Sequence, residues 1–153
     1  MFQYKIIRNI LCTESLLFKM KSEDSPLCPL CQADHAIMHL FTECTQAILF
    51  WKEILDWSSH VVNSGLLLSK NEIMFGIINK DLTFWFALNH LVTRGKYFLY
   101  VNALNSKFYV FSEFVSLVCD KIRLEKYMYS TSRCVKEFGK KMVSFSSDLN
   151  TIY

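Results

Sequence analysis

The residues of this chain best suited to chemistry lie close together in SPLCPLCQADHAIMHLFTEC, residues 25–44. Cys28 and Cys31 stand at C-x2-C spacing, Cys44 follows, and His35 and His39 lie between. A C-x2-C turn aims two sulfurs at one point, and Pro29 stiffens that turn. Two more ligands from a short following helix would complete a tetrahedron. Thiolates and imidazole suit zinc, which has no redox chemistry and prefers four ligands. Three sulfurs and one neutral imidazole leave no position for a bound water. The expected role of the single Zn2+ is therefore structural, since an activated hydroxide needs an open site. The competing reading is three buried free thiols and a core histidine. It is the weaker one, because C-x2-C with a His and a Cys downstream is a specific spacing.

Either histidine could be the fourth ligand. His39 and Cys44 are five apart, a little more than one helical turn, which works if Cys44 sits where the helix ends. His35 falls in the loop-like QADH, four residues after Cys31. Geometry favours His39, because a ligand is best held on an ordered helix.

Elements must position these residues. Phe2, Ile6, Ile7, Ile10 and Leu11 fall on one helical stripe, and Thr13 reads as the N-cap of a helix over Glu14–Met20. Pro26 and Pro29 make the first cysteine pair a turn. From Ala36 the period is helical again, through Ile37, Leu40, Phe41, Cys44 and Ile48. Thr45 could cap a fresh helix with Ala47, Ile48, Trp51, Ile54, Leu55 and Val62 on its apolar face. The sequence NSG at 63–65 ends it. Ser69 and Glu72 form a capping-box pattern before a short segment at 70–79. Residues 81–104 read as a central helix, apolar on most sides. Gly95 costs it about 1 kcal/mol relative to Ala, and close approach of another helix is a reason to tolerate that. A long helix over about 108–128 faces inward with Phe111, Phe114, Val115, Val118 and Ile122. A last segment, 132–145, pairs Val135, Phe138 and Met142 against Lys136, Lys140 and Lys141. The expected fold is mostly α: one domain over 1–153, with a CCHC zinc-knuckle-like module at about 22–46 and a compact helical array at about 46–145.

Composition agrees. About half the chain is apolar and 15% is aromatic, which excludes disorder, while four Gly and two Pro favour helices over turns. A membrane span needs about 18 or more apolar residues in a row, and LTFWFALNHLVT is too short and carries Asn89 and His90. Lys5 and Arg8 interrupt the N-terminal apolar run, so no signal peptide is expected. The reading is a soluble, intracellular chain of nucleus or cytoplasm. The net charge of +3 is uneven: residues 23–56 carry −5, whereas 1–22 carry +3 and 96–153 carry +4. The metal module is acidic and the basic surface lies at the two ends.

The stretch from FQYKIIRNILCTESLLFKM through DSPLCPLC, HLFTEC and the Phe50-Trp51 pair resembles the zinc-binding domain at the C-terminal end of LINE-type (non-LTR) retrotransposon reverse transcriptases. The likeness continues through FGI at 75–77, LNHLVTRGKYFLY at 88–100 and RLEKYMYSTSRCVKEFGKKM at 123–142, and so spans nearly the whole chain. It implies that His39, in HLF, is the fourth ligand beside Cys28, Cys31 and Cys44. Thr45, Met142 and Gly95 depart from the family's usual Pro, Trp and Ala, and none of them is a ligand. The resemblance further implies a domain that assists target-primed reverse transcription by gripping template RNA or target DNA beside the polymerase part of a parent protein. The chain itself has no Asp-Asp pair for a polymerase palm and no endonuclease-like carboxylate cluster, so no enzymatic activity is expected of it.

For nucleic acid, the candidate contacts are Lys121, Arg123, Lys126, Arg133, Lys136, Lys140 and Lys141, with Tyr127 and Tyr129 interleaved as stacking surfaces. A solvated helix face explains the same charges equally well. Trp51 and Trp57 fit an apolar helix stripe and are expected in the core. The rival readings are a helical protein-interaction scaffold and a functionless retrotransposon remnant.

Overall fold

The computed structural model describes residues 2–62, 67–78 and 82–131. Six α-helices and one π turn follow in order: α1 (Phe2–Ile7), α2 (Glu14–Lys19), the π turn (His39–Glu43), α3 (Thr45–Val62), α4 (Lys70–Phe75), α5 (Leu82–Leu104) and α6 (Phe111–Thr131). Among the described residues the only β pairing is an isolated antiparallel bridge between Leu27 and Asp34. The fold is mostly α, with the Cys/His cluster near its N-terminal region.

Local signals explain most boundaries. The Thr13 hydroxyl accepts the Leu16 N–H at 3.4 Å and opens α2. At α4 the Ser69 hydroxyl accepts the Glu72 N–H, while the Glu72 carboxylate accepts the Ser69 N–H at 2.8 Å, so the capping box is complete. This helix ends at Phe75, short of the expected 79, because Gly76 turns out of it at φ 98.

Three helix ends use a left-handed residue that is not glycine. Asn9, Lys21 and Ser106 have φ of 55, 59 and 51. At each, two backbone bonds close the end, such as Lys21 N–H to Phe18 C=O and Ser22 N–H to Leu17 C=O, both 2.9 Å. This is the Schellman arrangement, with an L-residue where Gly is usual. At Asn9 it also corrects the expected N-terminal stripe. The chain leaves the helix there, so Ile6 and Leu11 are buried while Ile7 and Ile10 are exposed.

The core centres on Phe50. Its ring stacks on Phe98 (centroids 5.7 Å) and meets Phe114 edge-on (5.0 Å), with Trp51 beside it at 5.3 Å. Trp51 is buried and donates its Nε1–H to the Phe41 carbonyl at 2.6 Å, and Trp57 packs against the core. On α3, Phe50 takes the inward place that the expected stripe gave to Ile48, which is exposed.

Gly95 shows why α5 tolerates it. A Cβ there would lie 2.9 Å from Trp51 Cη2 and 3.1 Å from Phe50 Cε1. The missing side chain lets α5 and α3 approach until the aromatic pair of α3 rests on the α5 backbone.

Two polar side chains on α5, a half-buried Asn89 and a buried Lys96, tie it to the preceding segments. The Asn89 amide accepts the Ile77 N–H at 2.7 Å and donates to the Ile77 carbonyl at 2.8 Å. The fully buried Lys96 ammonium donates to Gln3 Oε1 at 2.5 Å and to the Met74 carbonyl at 3.2 Å, while Gln3 Nε2 donates to that same carbonyl at 2.6 Å. Burial pushes Lys96 down to about 8. α1, α4 and α5 therefore share one polar junction. Among the described residues no helix is long and apolar enough to cross a membrane.

Candidate metal centre

The loop from Pro26 to Ala36 brings the first two sulfurs together. Cys28 N–H donates to the Ala33 carbonyl at 2.7 Å, and Gln32 N–H donates back to the Cys28 carbonyl at 2.9 Å. Gln32 takes φ 60 to close this tight turn. Next to it, His35 N–H donates to the Pro26 carbonyl at 3.0 Å beside the Leu27–Asp34 bridge.

The other two ligand candidates flank the π turn. Its closing bond runs from the Cys44 N–H to the His39 carbonyl at 2.8 Å, five residues apart. An α turn repeats every 3.6 residues, so a spacing of five would carry Cys44 away from His39. The wider i to i+5 turn returns it to the same side, in keeping with the tendency of π turns to occur at functional sites. Cys44 then takes ψ 135 and leaves the turn, and its carbonyl accepts the Ile48 N–H as α3 begins. The cap of α3 is therefore Cys44 rather than the expected Thr45.

The ligand atoms of Cys28, Cys31, His39 and Cys44 all lie within 4.8 Å of one another. Cys31 Sγ is 3.1 Å from His39 Nε2 and 3.9 Å from Cys44 Sγ. A tetrahedral ion with Zn–S bonds of about 2.3 Å sets its sulfurs about 3.8 Å apart. The set can hold one metal ion with no position to spare.

The surroundings act on the three sulfurs in opposite directions. Burial pushes the Cys28 thiol up to about 12, opposed by the backbone N–H groups of Leu30 and Cys31 that point at it. Burial also raises Cys44, opposed by the N–H groups of Gln46 and Ala47 in the first turn of α3. At Cys31 burial acts upward too, but the N–H groups of Ala33 and Thr45 and the neighbouring thiols outweigh it and lower this thiol. Each sulfur thus receives two backbone donors. Those from Thr45, Gln46 and Ala47 are the orphan N–H groups of a helix start, a natural seat for negative charge. Burial holds His39 below its ordinary value, against Glu43 and Asp34, so the ring is neutral and can ligate at pH 7.

His35 takes a different part. It is 97% buried, with its ring 6.2 Å from that of His39, and it stands outside the ligand set. Its Nδ1 accepts the Glu14 N–H at 3.2 Å, pinning the start of α2 to the metal loop. Burial pushes it down to about 4. Compared with known protein families, curated proteins and solved structures, the chain shows no significant match.

The residues expected to contact nucleic acid are only partly within the described chain. Lys121, Arg123 and Lys126 lie on α6; Arg133, Lys136, Lys140 and Lys141 lie outside the described residues. Lys121 lines a groove between α5 and α6, whereas Arg123 is exposed and pairs with Asp120 at 3.3 Å. Glu113 and Glu125 complete the acidic side, so the charges of α6 balance. The exposed basic surplus of the described chain is N-terminal: Lys5, Arg8, Lys19 and Lys21.

Several contacts have no counterpart in the motif reading: the backbone donors to sulfur, the Asn89 clamp and the Lys96 junction. The last two carried a usable signal, since a lone polar residue in a helix that is apolar on most sides must find a partner.

Proposed function

We propose that this chain is a zinc-stabilised, non-catalytic domain of a LINE-type retrotransposon reverse transcriptase. Its role is to assist binding of template RNA or target DNA in target-primed reverse transcription. The observation that carries the reading is the closed Cys28, Cys31, His39, Cys44 set leading directly into the helix with Phe50-Trp51. Zinc, when bound, supplies a redox-inert cross-link between the loop and the start of α3. The chain's own residues supply the rest: backbone donors on the sulfurs, a neutral His39, and His35 fixing α2 to the loop.

The nucleic-acid part of the reading rests on the basic residues at both ends of the chain. The test is a titration of single-stranded RNA and DNA across salt concentrations. Affinity is expected to fall steeply with salt and to weaken in a Lys140→Glu, Lys141→Glu variant. No retention of either nucleic acid at low salt would overturn it.

A second reading, a helical scaffold packing on a partner protein such as the polymerase part, is favoured by the balanced charge of α6. Exposed Ile48 and Leu49 on α3 and Ile7 and Ile10 around the end of α1 also favour it. It predicts self-association or capture of the partner with no dependence on Lys140 and Lys141.

A further inference from the structure

A groove of about 620 Å3 runs between α5 and α6. The buried Phe98 and Phe114 form its floor, and the exposed Tyr97, Val101 and Leu117 line its walls. Arg94 meets Glu125 at 3.2 Å, and farther along α5 Phe98 meets Phe114, so the two helices run in opposite directions. The groove is therefore divided along its length. His90, Arg94 and Lys121 stand at one end, and Val101, Phe114 and Leu117 at the other. Asp120 also lines the charged end, but Arg123 holds it at 3.3 Å, as Glu125 holds Arg94. Those two pairs cancel. Lys121 has no ion-pair partner among the described residues, so this end carries one unbalanced positive charge.

We propose that the groove binds an unesterified medium-chain carboxylate, with its head on Lys121 and its chain along Tyr97, Phe98 and Leu117. Charge and length carry the argument. An ionised carboxylate matches the one unbalanced cation and accepts charge-assisted hydrogen bonds. Glu125 and His90 take the Nη2 and Nε groups of Arg94, which leaves Nη1 as a second donor at the same end. From Arg94 to Val101, and from Lys121 back to Phe114, the groove follows each helix for about 10 Å. An extended chain advances about 1.2 Å per bond, so about eight methylenes fill that stretch. Decanoate has that length. The volume lies within the range of about 300–1,000 Å3 usual for small-ligand pockets. All the charge lies at one end, the layout of a head-and-tail molecule, whereas a partner protein would call for a polar rim around the apolar strip. The inference stands without any nucleic acid present.

The test is calorimetric titration of the full metal-loaded chain with decanoate, below its micelle concentration. Affinity is expected to rise about fourfold per methylene from hexanoate to decanoate and to level off beyond it. Decanol and decyltrimethylammonium should bind about tenfold more weakly. Lys121→Glu is expected to cost about tenfold for decanoate and nothing for decanol. Leu117→Asp, at an exposed position in the wall, should abolish binding of both, while Ile48→Asp, at an exposed position of α3, should change neither. In hydrogen exchange, decanoate should protect 94–101 and 114–121. No heat of binding and no added protection with millimolar decanoate overturns the proposal. So does an equal loss in the Ile48→Asp variant, which would mark general adsorption to apolar surface. Co-sedimentation with phosphatidylglycerol vesicles in the absence of decanoate binding overturns it in favour of a bilayer surface. A dimer mass in sedimentation, with the groove protected before any decanoate is added, overturns it in favour of a second copy.

Discussion

The loop that carries the Cys/His cluster and the α5–α6 half are built from different materials. Around residues 26–47 about half the chain is irregular, and the Cys/His cluster sits there beside the buried Ile37, Leu40 and Phe41. Around Phe50 the centre is aromatic, with Phe98, Phe111 and Phe114 packed on one ring. Hydrophobic burial is non-directional and tolerates some rearrangement. Metal ligation requires four atoms in a fixed geometry and deprotonated sulfurs. The two halves meet at Trp51, whose ring rests on Gly95 and whose Nε1–H holds the Phe41 carbonyl of the π turn.

The largest expected effect separates the halves outright. Structural zinc sites contribute about 10–16 kcal/mol of apparent binding energy at pH 7. Cys31→Ser, or removal of the metal by a chelator, is expected to abolish exchange protection over 26–47 and the first turn of α3. The Phe98–Phe114 region should keep most of its own. Equal loss in both would show that they are one unit. Metal analysis should find one ion per wild-type chain, and a content near zero after mild purification would contradict the centre itself.

Gly95→Ala tests the junction. The helix gains about 1 kcal/mol in propensity, but a Cβ pressed on a hydrogen-bonded Trp51 costs about 1–3 kcal/mol in overpacking. Denaturant titration is expected to show a net loss of about 1–2 kcal/mol. A gain in stability would mean that Trp51 is free to move.

Lys96 sharpens the comparison through pH. Its folded value is about 8 against an ordinary 10.5. Between these values the unfolded chain binds more protons, so this residue makes stability rise with pH from about 8, by at most about 1.4 kcal/mol per pH unit. Tyr109, held up at about 12 by burial and by Glu53, works in the opposite direction above pH 10, and in the metal-free chain the raised Cys28 and Cys44 thiols do so above about 9, so the useful window is 8 to 9. Lys96→Met should flatten the slope in urea titrations across that window. An unchanged slope would assign it to other groups.

The smallest effect is local. Lys21 occupies the left-handed end of α2, where an L-residue is strained by about 1–2 kcal/mol. Lys21→Gly should raise stability by about 1 kcal/mol after the added chain entropy of Gly is subtracted. The same change at Asn9 should give less, because Asn tolerates that conformation. Equal gains would mean that Asn9 is strained as much as Lys21.

Sequence by itself determined a mostly α chain and the membership of the cluster that could hold a metal ion, Cys28, Cys31, His39 and Cys44. It also placed the caps at Thr13 and Ser69 and the inward face of α6. These follow from spacing and side-chain chemistry, which are local. Only tertiary structure decided that the ligand spacing is met by a π turn, and that Cys44 rather than Thr45 caps α3. It also put Phe50 rather than Ile48 inside. Periodicity alone fixes none of these, because each is decided by contacts with residues distant in sequence; Ile48 and Phe50, for instance, lie about 200° apart around the helix. Gly95 lies between the two cases. Its cost to the helix was legible from the residue alone, but its reason, the indole of Trp51 against the backbone, belongs to the fold.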